Sequence, residues 1–291
     1  MQRILVTGAN KGIGFAIVEA ILEQQAATQV LLGSRDRARG EAARARLVAK
    51  HPAWAERIAV LELDVARDAS VAAAARQVAE RYGKAAPLRA LVNNAGVGGE
   101  RPLSEVLAVN TFGLRRCCEA FLPLLEPAGR IVNVTSASGP VFVAGCTPLR
   151  RRFLTDPHLE WSVLQAFLDE CLGVQTGKTT FASLGCGDGD AYGLSKACAN
   201  AYTVILAREH PELVVNACTP GFIETDMTRP YAASQGKTAQ QLGMKPPQAG
   251  TLAPSFLLFG ENVGSGRYYG SDAKRSPFDR YRAPGSPEYT G

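Results

Sequence analysis

A doubly wound α/β fold, with a seven-stranded and mostly parallel sheet and helices on both faces, is predicted by three observations. Short apolar runs alternate with longer, alanine-rich and charged segments of helical period. The runs are almost continuously apolar, as strands are when helices cover both sides of a sheet. A glycine-rich turn follows the first run and opens the first helical segment. Alternation of this kind builds right-handed βαβ units around a parallel sheet.

Five strands are expected in the N-terminal half, in RILVTG (3–8), TQVLLGS (28–34), IAVLELDV (58–65), LRALVNNAG (88–96) and GRIVNVTS (129–136). Helical patterns fill 13–25, 36–50 and 68–82 between the first four. Two later runs, LVVNACTPG (213–221) and GRYYGSD (266–272), complete the seven. There is no internal repeat and no linker rich in Gly, Ser or Pro, so residues 1–272 are read as one domain. Three stretches look added to it. Residues 140–190 hold an arginine run and a capped-helix pattern in TDPHLEWSVLQAFLDECLG, with Pro157 in its first turn and Gly173 as its stop. Its apolar face would be Leu164, Phe167, Leu168 and Leu172. Residues 226–250, rich in Met, Pro, Gly and Gln, suit a flap over a substrate pocket. Residues 273–291 read as a C-terminal tail.

Composition excludes several functions. No apolar run is long enough to span a membrane, and with an apolar segment starting at residue 3 no signal or transit peptide is expected. The net charge of +5 is modest and its arginines are scattered, which argues against nucleic acid as a partner. Seven cysteines without a C-x-x-C pair point to reduced thiols in a cytoplasmic protein. The three histidines lack ligand spacing, so no metal site is expected.

The turn TGANKGIG (7–14) is a phosphate cradle. Gly8, Gly12 and Gly14 let backbone approach a ligand, and the helix that follows offers free N–H groups and a positive dipole to a pyrophosphate. The second strand ends in GSRDRARG, where Ser34 replaces the acid expected for an NAD ribose. Arg35, Arg39 and Lys11 suit a 2′-phosphate instead, so NADP is the favoured cofactor, although Asp36 could pair with a ribose hydroxyl. Further on, Tyr192 stands four residues before Lys196, on one face of a helix.

With TGANKGIG, NNAG (93–96), Ser136 and YGLSK in this order, the sequence resembles the short-chain dehydrogenase/reductase family, whose fold is of the Rossmann type. GANKGIG, SRDRARG, PGFIETDM (220–227) and the long insertion before the tyrosine resemble its monomeric NADPH-dependent carbonyl reductase branch. The resemblance implies Ser136, Tyr192, Lys196 and Asn110 as catalytic residues, with Ser138 a fallback for Ser136. It implies cofactor contacts from Gly8, Asn10, Lys11, Gly12, Ile13, Gly14, Arg35, Arg39, Asp64, Val65, Asn93, Ala95 and Gly96. Tyr192, Lys196, Pro220, Gly221, Ile223 and Thr225 would complete the set. Asn110 could alternatively bond only to neighbouring backbone.

The expected reaction is NADPH-dependent reduction of an aldehyde, ketone or quinone, with Tyr192 as proton donor, Lys196 tuning it and Ser136 as second donor to the carbonyl oxygen. Two alternatives stand beside it: an alcohol or steroid dehydrogenase working toward oxidation, and a non-catalytic dinucleotide-binding regulator. The substrate pocket is expected from 97–103, 137–146 and the flap, with Phe142, Met227, Tyr231 and Met244. The insertion precedes the helix through which many family members oligomerise, so the chain is expected to be a monomer.

Overall fold

The computed structural model describes residues 1–83 and 85–291. The chain begins with β1 (Gln2–Val6), α1 (Gly12–Gln24), β2 (Thr28–Ser34), α2 (Arg37–Lys50), β3 (Ile58–Glu62), α3 (Asp68–Tyr82) and β4 (Leu88–Asn93). Two helices, α4 (Leu103–Asn110) and α5 (Phe112–Phe121), lead to β5 (Leu125–Val134). Then come α6 (Ser138–Gly145), α7 (Pro148–Leu154), α8 (Trp161–Gln175), α9 (Ala191–Glu209) and β6 (Val214–Cys218). The chain ends through α10 (Arg229–Ser234), α11 (Leu252–Phe259), β7 (Arg267–Tyr269) and β8 (Arg275–Ser276).

The sheet has the order β3-β2-β1-β4-β5-β6-β7-β8. The first seven are parallel and β8 runs antiparallel to β7, pairing Tyr268 with Ser276. The sequence predicted seven strands; the eighth comes from the stretch read as a tail. A two-residue strand carries no alternation that a pattern could reveal.

Alternate side chains of each strand enter opposite layers. Ile4, Val6, Val30 and Leu32 pack with Ile17, Ile21 and Leu257 on one face, and Leu5, Leu31, Leu91 and Ile131 with Phe121, Leu164 and Ile205 on the other. Each such side chain, fully buried, contributes roughly 1.5–3 kcal/mol. Because β1 lies between β2 and β4, the connections diverge at its carboxyl end, which opens a crevice there.

Helix α9 is fixed from several sides. The Asp190 carboxylate accepts from the Gly193 N–H at 2.8 Å and caps its start. The Thr111 hydroxyl donates to the Ser195 carbonyl at 2.9 Å. Helix α6 lies so close that a Cβ on Gly139 would stand 3.0 Å from the Lys196 carbonyl carbon. A buried polar chain runs from Asn93 to Asn133 Oδ1 (2.9 Å) and from Asn133 to Thr203 Oγ1 (2.9 Å), tying β4 and β5 to α9.

The inserted stretch contains α7 and α8. Leu164, Phe167 and Leu168 are buried, with Leu172 packed against the same core. The helix starts later and ends later than the sequence suggested. Asp156 Oδ1 accepts from the His158 N–H at 2.8 Å, and Arg208 donates to the Pro157 and Leu159 carbonyls, so Pro157 sits in a turn before α8. Gly173 lies inside the helix, and Gly177, at φ +71°, follows its end. Trp161 meets Phe112 and Tyr202 edge-on, and Gln175 Oε1 accepts from the Ser104 N–H at 2.9 Å. The insertion therefore covers the side of α4, α5 and α9 facing away from the sheet.

Candidate active site

A cleft of about 360 Å³ occupies the crevice at the carboxyl ends of β1, β4 and β5. Its floor is the turn between β1 and α1. Gly8 and Gly12 have φ of +62° and +57°, where a side chain would be strained. A Cβ at Gly8 would stand 2.8 Å from Ala95 Cα, and one at Gly14 would stand 2.4 Å from Asn94 Nδ2. The turn thus packs against the loop after β4 while its backbone stays bare. Helix α1 begins at Gly12 with no side-chain cap, so the N–H groups of its first turn lack intrahelical partners. A bare turn and an uncapped, positive helix end fit the pyrophosphate of a dinucleotide.

Thr7 and Asn94 hold these two loops together. Thr7 Oγ1 accepts from the Asn94 and Ala95 N–H groups, both at 3.0 Å, and Asn94 Nδ2 donates to the Thr7 carbonyl at 2.9 Å. Farther along the cleft, Ser34, Arg35, Asp36 and Arg39 line the end of β2, with Asp64 and Val65 beyond β3. Asp36 caps α2, accepting from the Arg39 N–H at 2.9 Å and pairing with the Arg39 guanidinium at 3.5 Å. That role occupies the acid that could otherwise have addressed a ribose. Arg35 is exposed at the rim, without an ion-pair partner among the described residues. Across the cleft, Lys11 Nζ pairs with Asp226 at 2.6 Å, and Asp226 also receives Arg229 at 2.7 Å.

Ser136, Tyr192 and Lys196 meet at the other end. Lys196 is 4% exposed, its Nζ 3.4 Å from the Val134 carbonyl and 5.6 Å from the Tyr192 ring centre. Burial lowers its pKa to about 8. Burial pushes the Tyr192 phenol up, and the Ser136 hydroxyl beside it works against that rise. Ser136 Oγ also accepts from the Ser138 N–H at 3.1 Å and lies 3.2 Å from Ser138 Oγ, so the fallback serine orients the first.

The cleft is also lined by Asn10, Lys11, Ile13, Ala95, Gly96, Pro220, Gly221, Ile223 and Thr225. Two candidates lie outside it. Asn93 is 3% exposed and points into the core, bonded to Asn133 and Cys118. Its period-2 position sends it to the side of β4 opposite the following Asn94, the residue of the NNAG motif that does line the cleft. Asn110 is 1% exposed; it accepts from the Val97 N–H at 2.9 Å and donates to the Val97 carbonyl and Ser195 Oγ, both at 3.0 Å. It braces the loop behind the site.

The expected substrate side is only partly met. Val97, Gly98, Glu100, Arg101, Met227 and Thr228 line the cleft, whereas 137–146 and 229–250 do not. Phe142 is buried against Gly189 and Gly193, and Tyr231 packs on Phe222. Glu100 and Arg101 fall in the expected 97–103 stretch and Asp226 at the start of the flap, but which residues of those stretches face the cleft depends on long loop closures.

Known proteins place this arrangement. The short chain dehydrogenase family profile matches residues 2–148. The chain belongs to that family. Among curated short-chain dehydrogenases and reductases, it is 33% identical over 257 residues to (+)-neomenthol dehydrogenase of Arabidopsis thaliana, covering 77% of this chain and 83% of that protein. It is 34% identical over 270 residues to carbonyl reductase (NADPH) 3 of Rattus norvegicus, covering 86% and 90%. Its fold is similar to that of salutaridine reductase from Papaver somniferum, with a TM-score of 0.76 and 26% identity over 92% of this chain and 99% of that one. The family likeness makes the chain an oxidoreductase with a short-chain dehydrogenase fold.

Proposed function

We propose that the chain is an NADPH-dependent carbonyl reductase, converting an aldehyde, ketone or quinone to an alcohol. The observation that carries this reading is that Ser136, Tyr192 and Lys196 line the same cleft as the bare glycine turn and Arg35. The name of the rat relative, which includes NADPH, supports the same cofactor.

When bound, the reduced dinucleotide supplies the hydride. Gly12, Ile13 and Gly14 would receive the pyrophosphate on backbone N–H groups, and Arg35, Arg39 and Lys11 would address the 2′-phosphate. Asp64 and Val65 would hold the adenine side, and Ala95, Gly96, Pro220, Gly221, Ile223 and Thr225 the nicotinamide side. Lys196, buried close to the Tyr192 ring, would hold the ribose and place positive charge beside the phenol. Ser136 and Tyr192 donate to the carbonyl oxygen as it gains negative charge, and Tyr192 delivers the proton. A phenol pushed up by burial stays protonated at neutral pH, which suits it to donate in the reductive direction. Asn110 positions the Val97 loop and Ser195, on the helix carrying both Tyr192 and Lys196.

The same proposal covers the assembly. Residues 1–272 act as one catalytic domain, and α8, laid over α4 and α9, takes the place of a partner subunit and keeps the chain a cytoplasmic monomer. NADPH consumption across a panel of aldehydes, ketones and quinones tests the function. Turnover is expected with at least one apolar carbonyl, lost about a thousandfold in Tyr192→Phe with NADPH affinity retained. Tight NADPH binding with no turnover on any member, unchanged by that substitution, would make the chain a regulator instead.

A further inference from the structure

Two cysteines at the root of the insertion, Cys146 and Cys186, face each other where two loops of the chain meet. The Thr147 N–H donates to the Gly185 carbonyl at 2.9 Å. On the other side, the Gly145 carbonyl oxygen lies only 2.5 Å from where a Cβ on Gly187 would stand. Residues 145–147 therefore lie beside 185–187, and the Cys146 and Cys186 thiols come within hydrogen-bonding reach of each other. A disulfide spans Cα atoms roughly 4.4–6.8 Å apart, and the bond between the flanking residues holds the two backbones close.

We propose that Cys146 and Cys186 form a peroxide-oxidisable dithiol, a modification site that closes the base of the insertion with a disulfide. The two cysteines are 40 positions apart in the chain and enclose α7 and α8 entirely. They also lie on the segments that carry the site: Cys146 follows Ser136 through α6, and Cys186 precedes Tyr192 in the approach to α9. A bond between them joins the serine and tyrosine arms outside the cleft. Neither cysteine lines that cleft, so this site is separate from the proposed reductase chemistry.

The two thiols are not equivalent. The Cys186 thiol facing Cys146 lowers the Cys146 pKa, burial opposes this, and the Arg150 and Arg151 guanidiniums lower it further. The same contact with Cys146, joined by burial, holds Cys186 up as the protonated partner. Arg150 is kept near by its bond to the Leu184 carbonyl at 2.9 Å and by its stacking over Phe167 at 4.0 Å. Cys146, 5% exposed, is then the attacking sulfur, and Cys186, 1% exposed, the resolving one.

The chemistry balances with hydrogen peroxide as oxidant. The Cys146 thiolate attacks one peroxide oxygen; the S–O bond forms, the O–O bond breaks, and the departing hydroxide leaves as water after taking a proton. Cys186 sulfur then attacks the sulfenic acid sulfur; the S–S bond forms, the S–O bond breaks, and the hydroxyl leaves with the Cys186 proton as a second water. The two sulfurs together lose the two electrons that reduce the peroxide. A thiol reductant reverses the bond.

Peptide mapping of the full chain tests this directly. Trypsin cuts after Arg130, Arg150, Lys178 and Lys196, which places Cys146, Cys171, Cys186 and Cys198 on four separate peptides. Reduced wild-type protein, freed of reductant, exposed to hydrogen peroxide and then alkylated, is expected to lose the mass of two hydrogens and to yield the 131–150 peptide joined to the 179–196 peptide. In Cys186→Ser the link disappears and dimedone traps Cys146 as its sulfenic acid. A wild-type protein that keeps all four thiols alkylatable under peroxide, or that links Cys171 to Cys198 instead, would overturn the proposal. That readout needs no variant to fold and is independent of turnover on any carbonyl.

Discussion

Lys196 carries an electrostatic cost of burial in the cleft. It is 4% exposed, and burial lowers its pKa from 10.5 to about 8. Between those two values the unfolded chain holds a proton that the folded chain has lost, so stability contributed by this residue rises with pH across that window. Below about pH 8 the full cost of burying the ammonium remains. Lys196→Met is therefore expected to unfold at a higher temperature than wild type near pH 7, with the gain shrinking toward pH 10, as paired melts at the two pH values would show. The same residue shapes activity: kcat/KM for reduction should stay level up to about pH 8 and fall above it, as the charge beside Tyr192 is lost. At the opposite end of the cleft, Arg35 is exposed and unpaired among the described residues, so its charge is free for a 2′-phosphate. Arg35→Ala should weaken NADPH binding by at least about tenfold and leave NADH unchanged, measured by fluorescence titration of both. Equal loss for the two dinucleotides would remove the 2′-phosphate assignment.

Elements decide where these residues stand, and their legibility follows how local their signals are. The glycine turn, the end of β2 and the Tyr192–Lys196 face are each written within a few consecutive residues, and their order along the chain pointed to the cleft that they all line. Asp226 is different: it meets Lys11 across 215 residues, and nothing near it announces that contact. Asn93 and Asn94 show the same limit on a finer scale, because the last turn of the β4 pleat sends one inward and the other to the cleft. Helices α6 and α7 were missed because one holds two glycines and a proline and the other is seven residues long. The Lys11–Asp226 pair is more than half exposed at both ends, which makes it a small contributor to stability. Asn110 matters more. It satisfies both Val97 backbone groups and reaches Ser195 from a buried place at the end of α4. Asn110→Ala should lower stability by about 2 kcal/mol in urea and raise KM, while the conservative Asn110→Asp restores neither the Val97 carbonyl's donor nor the Ser195 bond.

For the whole molecule, the parallel sheet sets one face toward α1, α2 and α11 and the other toward α5 and α9, and the insertion then covers that second helical layer. Trp161 packs edge-on against Phe112 and Tyr202, with Arg115 4.3 Å above its ring, which seats the insertion on α5 and α9. Light scattering at low micromolar concentration should give a mass near 30.9 kDa, and twice that mass would show that the insertion does not replace a partner. One cleft joins the glycine turn to Ser136, Tyr192 and the buried Lys196, and the proposed carbonyl reduction rests on that arrangement. Transfer of deuterium from NADPH labelled at its hydride carbon reads this most directly, by NMR of the alcohol formed from a carbonyl substrate. The account predicts deuterium on the carbinol carbon with wild-type protein and about a thousandfold slower labelling with Tyr192→Phe. Bound NADPH that passes no deuterium to any aldehyde, ketone or quinone would contradict it.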